Sequence, residues 1–211
     1  MDYHGSRLIP DVRRDILWKS LWDFFFNKIV HEDDCVLDLG AGYAQFINTV
    51  VARRRIAVDR WAGLTDHLAP GIEAHIGSVI DLGFLASASV DFAFASNLFE
   101  HLTKEDLSLA LAELRRVLTS NGSLTIVQPN YRYAYREYFD DFDHKSVFSH
   151  VSLADFLTAH GWDVFQVGPR FMPLSIKGRL PVSRWLIRAL LLSPFKPVGK
   201  QMLIRARVKR L

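Results

Sequence analysis

Cysteine is nearly absent: Cys35 is the only one among 211 residues. A lone thiol excludes a disulfide framework and any zinc centre built on several thiolates, and it fits a reducing compartment. Long apolar runs are missing too. No stretch of about 18 uninterrupted apolar residues occurs, so a membrane-spanning helix is not expected. Residues 1–11 carry charges and no apolar run, and do not read as a secretory signal. The strongest absence is of acid near the end. From Val164 to Leu211 there are 48 residues without Asp or Glu but with 11 of the 26 basic side chains. The other 15 share the first 163 residues with all 23 acidic ones. An acidic body with a basic end points to contact with something anionic, such as phospholipid headgroups, a phosphorylated substrate or nucleic acid; a solvated cationic face is the plainer alternative.

What is present suits a folded enzyme-sized unit. Apolar residues make up 49% and charged residues 23%, which permits a packed core and excludes wholesale disorder. The length suits a single domain over 1–211. Asp11, after Pro10, opens a predicted helix over 11–30, with Val12, Ile16, Leu21, Phe24, Phe25 and Ile29 at helical spacing. Cys35 to Gly40 is a short apolar run stopped by glycine, as a buried parallel strand should be. A helix is expected over 43–53, then strands over 55–59, 74–76 and 90–95. Thr103-Lys104-Glu105-Asp106 resembles a capping box, opening a helix with Leu107, Leu111, Leu114 and Leu118 that should end near Asn121-Gly122. Ser123 to Gln128 reads as a fifth strand halted by Pro129. A box-like start at Ser152 opens a helix ending before Gly161, and a strand follows over 162–167. A basic insertion over 169–197 contains a helix candidate at 182–192, and 202–208 closes the chain as a seventh strand. Strands alternating with helices predict a doubly wound α/β sheet with helices on both faces.

The chemistry lies in the first strand and its loop. Val36-Leu37-Asp38-Leu39-Gly40-Ala41-Gly42 places two glycines after a buried strand, where the backbone must turn sharply and approach a ligand. Asp59 ends the second strand, and a carboxylate there can accept hydrogen bonds from two ribose hydroxyls. Strand, Gly-x-Gly, helix, strand and terminal acid together indicate a nucleoside cofactor. A dinucleotide fingerprint would want Gly or Ala five residues after Gly40; Gln45 stands there, and Asp38 would repel a phosphate but suit a cationic amino group. A ligand with a ribose, an amino group and no phosphate fits better than NAD.

These residues resemble the first motif of the class I S-adenosylmethionine-dependent methyltransferases, in the type 11 style. The likeness continues through Asp59, through Gly77-Ser78-Val79-Ile80-Asp81-Leu82, through Ser89 to Leu102 and through Leu114 to Leu124. It implies S-adenosyl-L-methionine as cofactor and a Rossmann-like three-layer sandwich. Its sheet would have seven strands, mostly parallel, with the last returning antiparallel between the fifth and sixth. It implies that Asp38, Gly40, Ala41 and Gly42 line the methionine part and Asp59 holds the ribose. Arg60 would flank the adenine or ribose, Ser78, Val79 and Ile80 would surround the adenine, and Asn97 would sit near the transferred methyl. Two positions depart from the family: Ser78 stands where an acid is usual, and Ser120-Asn121-Gly122 where Pro-Gly-Gly is usual.

A sulfonium methyl is already electrophilic, so the protein mainly aligns the reactants, and positioning supplies as much as ~7–11 kcal/mol. A base is needed only if the nucleophile holds its proton near neutral pH. The candidates are His101, just beyond the fourth strand, and His144, in the loop over 129–150. That loop also carries Tyr131, Tyr133, Tyr135, Tyr138 and Phe139, and its length suggests a lid or substrate wall. Aromatic faces with carboxylates suit a sugar. Asp141, Asp143 and His144 read as a solvated acidic loop rather than a cation site, so no metal set is assigned. Arg184 and Arg188, beside Trp185 and leucines, could lie on a membrane surface, cap the substrate pocket, form a dimer seam or simply pack. The expected function is methyl transfer to a small-molecule acceptor, a sugar or a lipid- or nucleotide-linked glycan hydroxyl, in the cytoplasm or at a membrane surface. Rival readings are an NAD-dependent oxidoreductase, an RNA methyltransferase and a catalytically dead binding domain. The acidic body and the lack of a recognised RNA-binding motif disfavour nucleic acid.

Overall fold

The computed structural model describes residues 11–173 and 182–209. Residues 1–10, the stretch 174–181 of the expected basic insertion with Lys177 and Arg179, and residues 210–211 lie outside the described residues.

Seven strands form one sheet: β1 (Cys35–Leu39), β2 (Arg54–Asp59), β3 (Glu73–Ile76), β4 (Val90–Ser96), β5 (Leu118–Pro129), β6 (Trp162–Met172) and β7 (Gln201–Val208). Their order is β3-β2-β1-β4-β5-β7-β6. The first five strands pair in parallel, whereas β7 runs antiparallel to both β5 and β6. Every residue of β1 is buried, as a parallel strand covered on both faces requires.

Alternation along the strands sorts side chains into two packed layers. Leu37, Leu39, Ala93, Ala95, Leu124 and Ile126 meet α3 (Lys104–Val117) and α5 (His150–Ala159) through Leu107, Leu111, Leu114, Leu153 and Leu157. On the other face, Val36, Phe92, Phe94 and Val127 meet α1 (Val12–Phe24), α2 (Gln45–Thr49) and α6 (Arg184–Leu192). Rings dominate that second layer: Phe94 lies 4.0 Å from Phe46 and 5.2 Å from Phe26 between centroids. The remaining helix, α4 (Tyr131–Ala134), is a single turn after β5.

Several expected boundaries move, each for a local reason. The first helix ends at Phe24 rather than residue 30, because Phe25 turns to φ −135° and a 3-10 turn over Phe26–Lys28 sends Phe26 into the core. The expected helix over 43–53 shrinks to Gln45–Thr49: Ala44 is left-handed at φ 57°, and Val50 is already extended. The helix after Thr103 stops at Val117, and Asn121-Gly122 falls inside β5 beside an irregular register with β4. A Cβ on Gly122 would sit 3.0 Å from the Val90 carbonyl, a tight contact that glycine avoids. The helical box before Gly161 starts at Ser149, not Ser152, with Ser149 and Ser152 capping each other's backbone. β6 extends to Met172, so the expected insertion begins inside the sheet.

Candidate active site

Parallel strands bring their carboxyl ends to one edge, where a doubly wound sheet binds ligands. The chain leaves β1 through Gly40 (φ 67°) and Gly42 (φ 52°), conformations that side chains rarely adopt. Gly40 and Ala41 both donate to the Val58 carbonyl, at 2.8 and 3.1 Å, which folds the loop onto the end of β2. A Cβ on Gly40 would come 2.9 Å from Leu98, so the loops after β1 and β4 already touch.

Asp59 stands at the tip of β2. One oxygen accepts from the Gly42 N–H and the other from the Trp61 N–H, each at 2.8 Å. Every carboxylate oxygen has a second lone-pair site, so the pair of oxygens can still receive two hydroxyls. Asp38 is 3% exposed, and burial first, then the neighbouring Asp59 charge, pushes its carboxyl well above the usual range. Two carboxylates close together at the ends of adjacent strands, one of them buried, favour a cationic ligand and disfavour a phosphate. The donor set therefore fits the sulfonium and ammonium groups of S-adenosylmethionine.

Arg60 and Ser78 come together, with Arg60 Nη2 donating to Ser78 Oγ at 2.7 Å. Val79 is buried beside them and Ile80 packs on the core. Sequence reasoning missed Tyr43 and Trp61, whose rings meet at 4.9 Å between centroids, with His67 stacked on Trp61. A tyrosine right after the second glycine and a tryptophan two residues after the acid were the available signal. Asn97 is exposed, left-handed at φ 49°, and its Oδ1 accepts from Gln201 at 3.1 Å. A polar residue held in a sparsely populated conformation at a strand's end is common at ligand sites.

His101 and His144, 43 positions apart, meet with ring centroids at 4.9 Å. His101 Nδ1 lies 3.2 Å from the Asp143 carbonyl and 3.4 Å from its carboxylate. His144 Nδ1 lies 2.5 Å from the Tyr138 carbonyl. A carbonyl only accepts, so Nδ1 carries the hydrogen in both rings. Burial, then the neighbouring His101, lowers the pKa of His144. Glu100, which sequence reasoning left unassigned, is fully buried, and burial raises its pKa to about 8. The loop over 129–150 is less free than its aperiodic sequence suggests. Lys145 and Ser146 donate to the Glu100 carbonyl at 2.8 and 3.0 Å, and buried Tyr138 donates to the Ser146 carbonyl at 2.7 Å. Outside this anchored part, Tyr131, Arg132 and Tyr135 line a shallow groove with Ser149 and Val151. A separate hollow of about 480 Å³ lies at the opposite, amino-end edge, among Asp91, Asn121, Phe165 and Arg205, away from the crevice.

Residues 37–126 match the family model described as a methyltransferase domain. Among solved structures, a SAM-dependent methyltransferase from Archaeoglobus fulgidus is 20% identical, with 92% of this chain and 93% of that chain covered and a TM-score of 0.69. One from Mesorhizobium loti is 14% identical over 89% and 97%, with a TM-score of 0.62. The complex of DhpI with SAH is 14% identical over 100% and 91%, also at 0.62. No curated protein matches the chain. Residues 37–126, from inside β1 to Ile126 in β5, thus match a methyltransferase domain, and the strand order with its antiparallel β7 is the fold shared with these S-adenosylmethionine-dependent methyltransferases, a likeness that supports S-adenosylmethionine as the methyl donor.

Proposed function

We propose that the methyl acceptor is a hydroxyl of a small polar molecule, a sugar or a lipid- or nucleotide-linked glycan, received between the end of β4 and the aromatic loop over 129–150. The observation that carries this reading is the run of rings from groove to histidine pair. Tyr131 meets Tyr138 at 5.4 Å and Tyr138 meets His144 at 4.6 Å between centroids, with Arg132 in the same groove. Aromatic faces stack on the apolar face of a sugar ring, and a guanidinium suits an attached phosphate.

Bound S-adenosylmethionine supplies an electrophilic methyl on a sulfonium. Asp38 would face its ammonium group, the backbone of Gly40, Ala41 and Gly42 would run along its methionine part, and Asp59 would hold its ribose. Arg60 would flank the nucleoside, with Ser78, Val79 and Ile80 around the adenine and Asn97 beside the methyl. The cofactor would supply the methyl to the acceptor oxygen and leave as a neutral thioether, and the hydroxyl's proton would pass to a base beside that oxygen. A sugar hydroxyl holds its proton at neutral pH, so help is needed at the oxygen. His101 and His144 carry their ring lone pairs on Nε2 and stand beyond β4 where that help belongs.

Contact with a membrane surface is part of the proposal for a lipid-linked acceptor. On and just after α6, Trp185 is 72%, Leu192 71% and Phe195 83% exposed, near Arg184 and Arg188. No helix among the described residues is long and apolar enough to cross a membrane. The test is a screen with methyl-labelled cofactor against free sugars, lipid-linked glycans and RNA. Label on a sugar hydroxyl supports the reading, and label on RNA overturns it. Calorimetry on Asp59→Ala checks the cofactor side: loss of its hydrogen bonds should cost about 1.5–3 kcal/mol of S-adenosylmethionine affinity, and an unaltered dissociation constant would mean the ribose assignment is wrong.

A further inference from the structure

We infer that Glu100, His101 and His144 form a site for one divalent first-row transition cation, of the zinc or manganese kind, beside the methyl-transfer crevice. One ligand atom from each of the three lies within 4.8 Å of the other two. Tetrahedral donors on one such ion, each at ~2.0–2.2 Å, stand roughly 3.3–3.6 Å apart, so the widest separation would have to close by about 1.2–1.5 Å on binding, within reach of side-chain rotation.

The independent sign of a missing partner is Glu100. Its side chain is 0% exposed, and neither carboxylate oxygen has a hydrogen-bond partner. A buried carboxylate without a partner is costly, and a cation is the partner that removes the cost. Among the described residues no lysine or arginine forms a salt bridge with Glu100, and the neighbouring Asp141 adds a like charge. The surroundings are thus anionic, with Asp143 close behind His101.

The two imidazoles are prepared as ligands. Each commits Nδ1–H to a carbonyl, His101 to Asp143 and His144 to Tyr138, which puts the lone pair on Nε2. Metal-binding histidines are held in this way by a carbonyl or carboxylate behind the ring. The frame is fixed as well: the turn over Phe99–His101 and the segment 145–146 are joined by the Glu100 carbonyl, and Ser146 Oγ donates to the Leu102 carbonyl at 2.7 Å. Two nitrogens and one oxygen favour zinc, manganese or iron over magnesium or calcium, which prefer all-oxygen shells. Three protein ligands leave coordination positions for water or an acceptor hydroxyl. Resting on the hydroxyl-acceptor reading above, the ion would lower the pKa of the oxygen to be methylated; the binding site itself does not depend on that reading.

The test uses untagged full-length protein stripped with chelator, dialysed against Zn2+ or Mn2+ without any acceptor, and assayed for bound metal by mass spectrometry. One equivalent per chain is expected. Glu100→Gln and His144→Ala should each weaken binding at least tenfold while S-adenosylmethionine affinity stays within twofold. If Glu100→Gln fails to fold, His144→Ala decides alone, since His144 sits in a surface loop. Substoichiometric metal in the parent protein, or parental affinity in the folded variants, overturns the site. Because metal is measured without acceptor, a failed sugar screen leaves this result standing, and the reverse holds too.

Discussion

For Asp38, stability and the proposed role in holding the cofactor's ammonium group pull against each other. In the folded chain its carboxyl is pushed up by burial and by Asp59, so the folded state holds this proton more tightly than the unfolded state does. Folding is therefore unpenalised below the unfolded pKa of about 3.9 and loses stability as pH rises above it. Asp38→Asn should raise the apo-protein's stability at pH 7 by about 1–3 kcal/mol, with the gain vanishing near pH 4. The same change should weaken S-adenosylmethionine binding. Thermal melts at the two pH values and a calorimetric titration check both halves; a variant less stable at pH 7 would contradict the sign. Asp38, Gly40, Gly42 and Asp59 were legible because chain order places them: a strand end, a turn, the next strand end. Glu100 was not. Its importance arises only when His144, 44 residues on, folds back beside it, and no local pattern announces such a meeting.

Secondary-structure elements were legible where a side chain acts on its own backbone. Thr103 caps α3, its Oγ1 accepting from Asp106 N–H at 3.1 Å, with Glu105 and Asp106 in the first turn and Arg115 and Arg116 in the last. Thr103→Ala should cost about 1 kcal/mol, or roughly 2–4 °C in melting temperature for a chain this long, measurable by circular dichroism. No change would mean that the helix start is held by packing alone. The misplaced boundaries share one cause. Phe26, Val50 and Leu118 continue an apolar periodicity, but each leaves the helix for a place in the sheet or core, so tertiary packing overrides the local pattern. The order of β7 came only from the family resemblance, since an antiparallel return looks the same as a parallel one in sequence.

Across the whole molecule, the basic end does not form one patch. Arg184 pairs with Asp23 at 3.1 Å and lies over Phe24 with Arg188, on the face of α1 and α6. Arg205 and Arg207 instead bracket Phe165 along β7, and Arg207 pairs with Asp163 at 2.9 Å. The proposed membrane contact therefore belongs to α6 and not to β7. Vesicles of phosphatidylglycerol should sediment more of the protein than phosphatidylcholine ones. Trp185→Ser with Leu192→Ser should cut that fraction severalfold, while Arg205→Gln with Arg207→Gln should leave it nearly unchanged. Equal loss from both double variants would assign the contact to net charge alone.

Because the backbone of residues 145–146 is tied to the same turn that carries Glu100 and His101, the loop cannot swing open as a flap without dismantling the ground beneath it. The loop's outer margin is where Tyr135, Phe139 and Phe142 are exposed. That margin can be rewritten without disturbing the anchored half, so a change of diet is open to this scaffold at little structural risk.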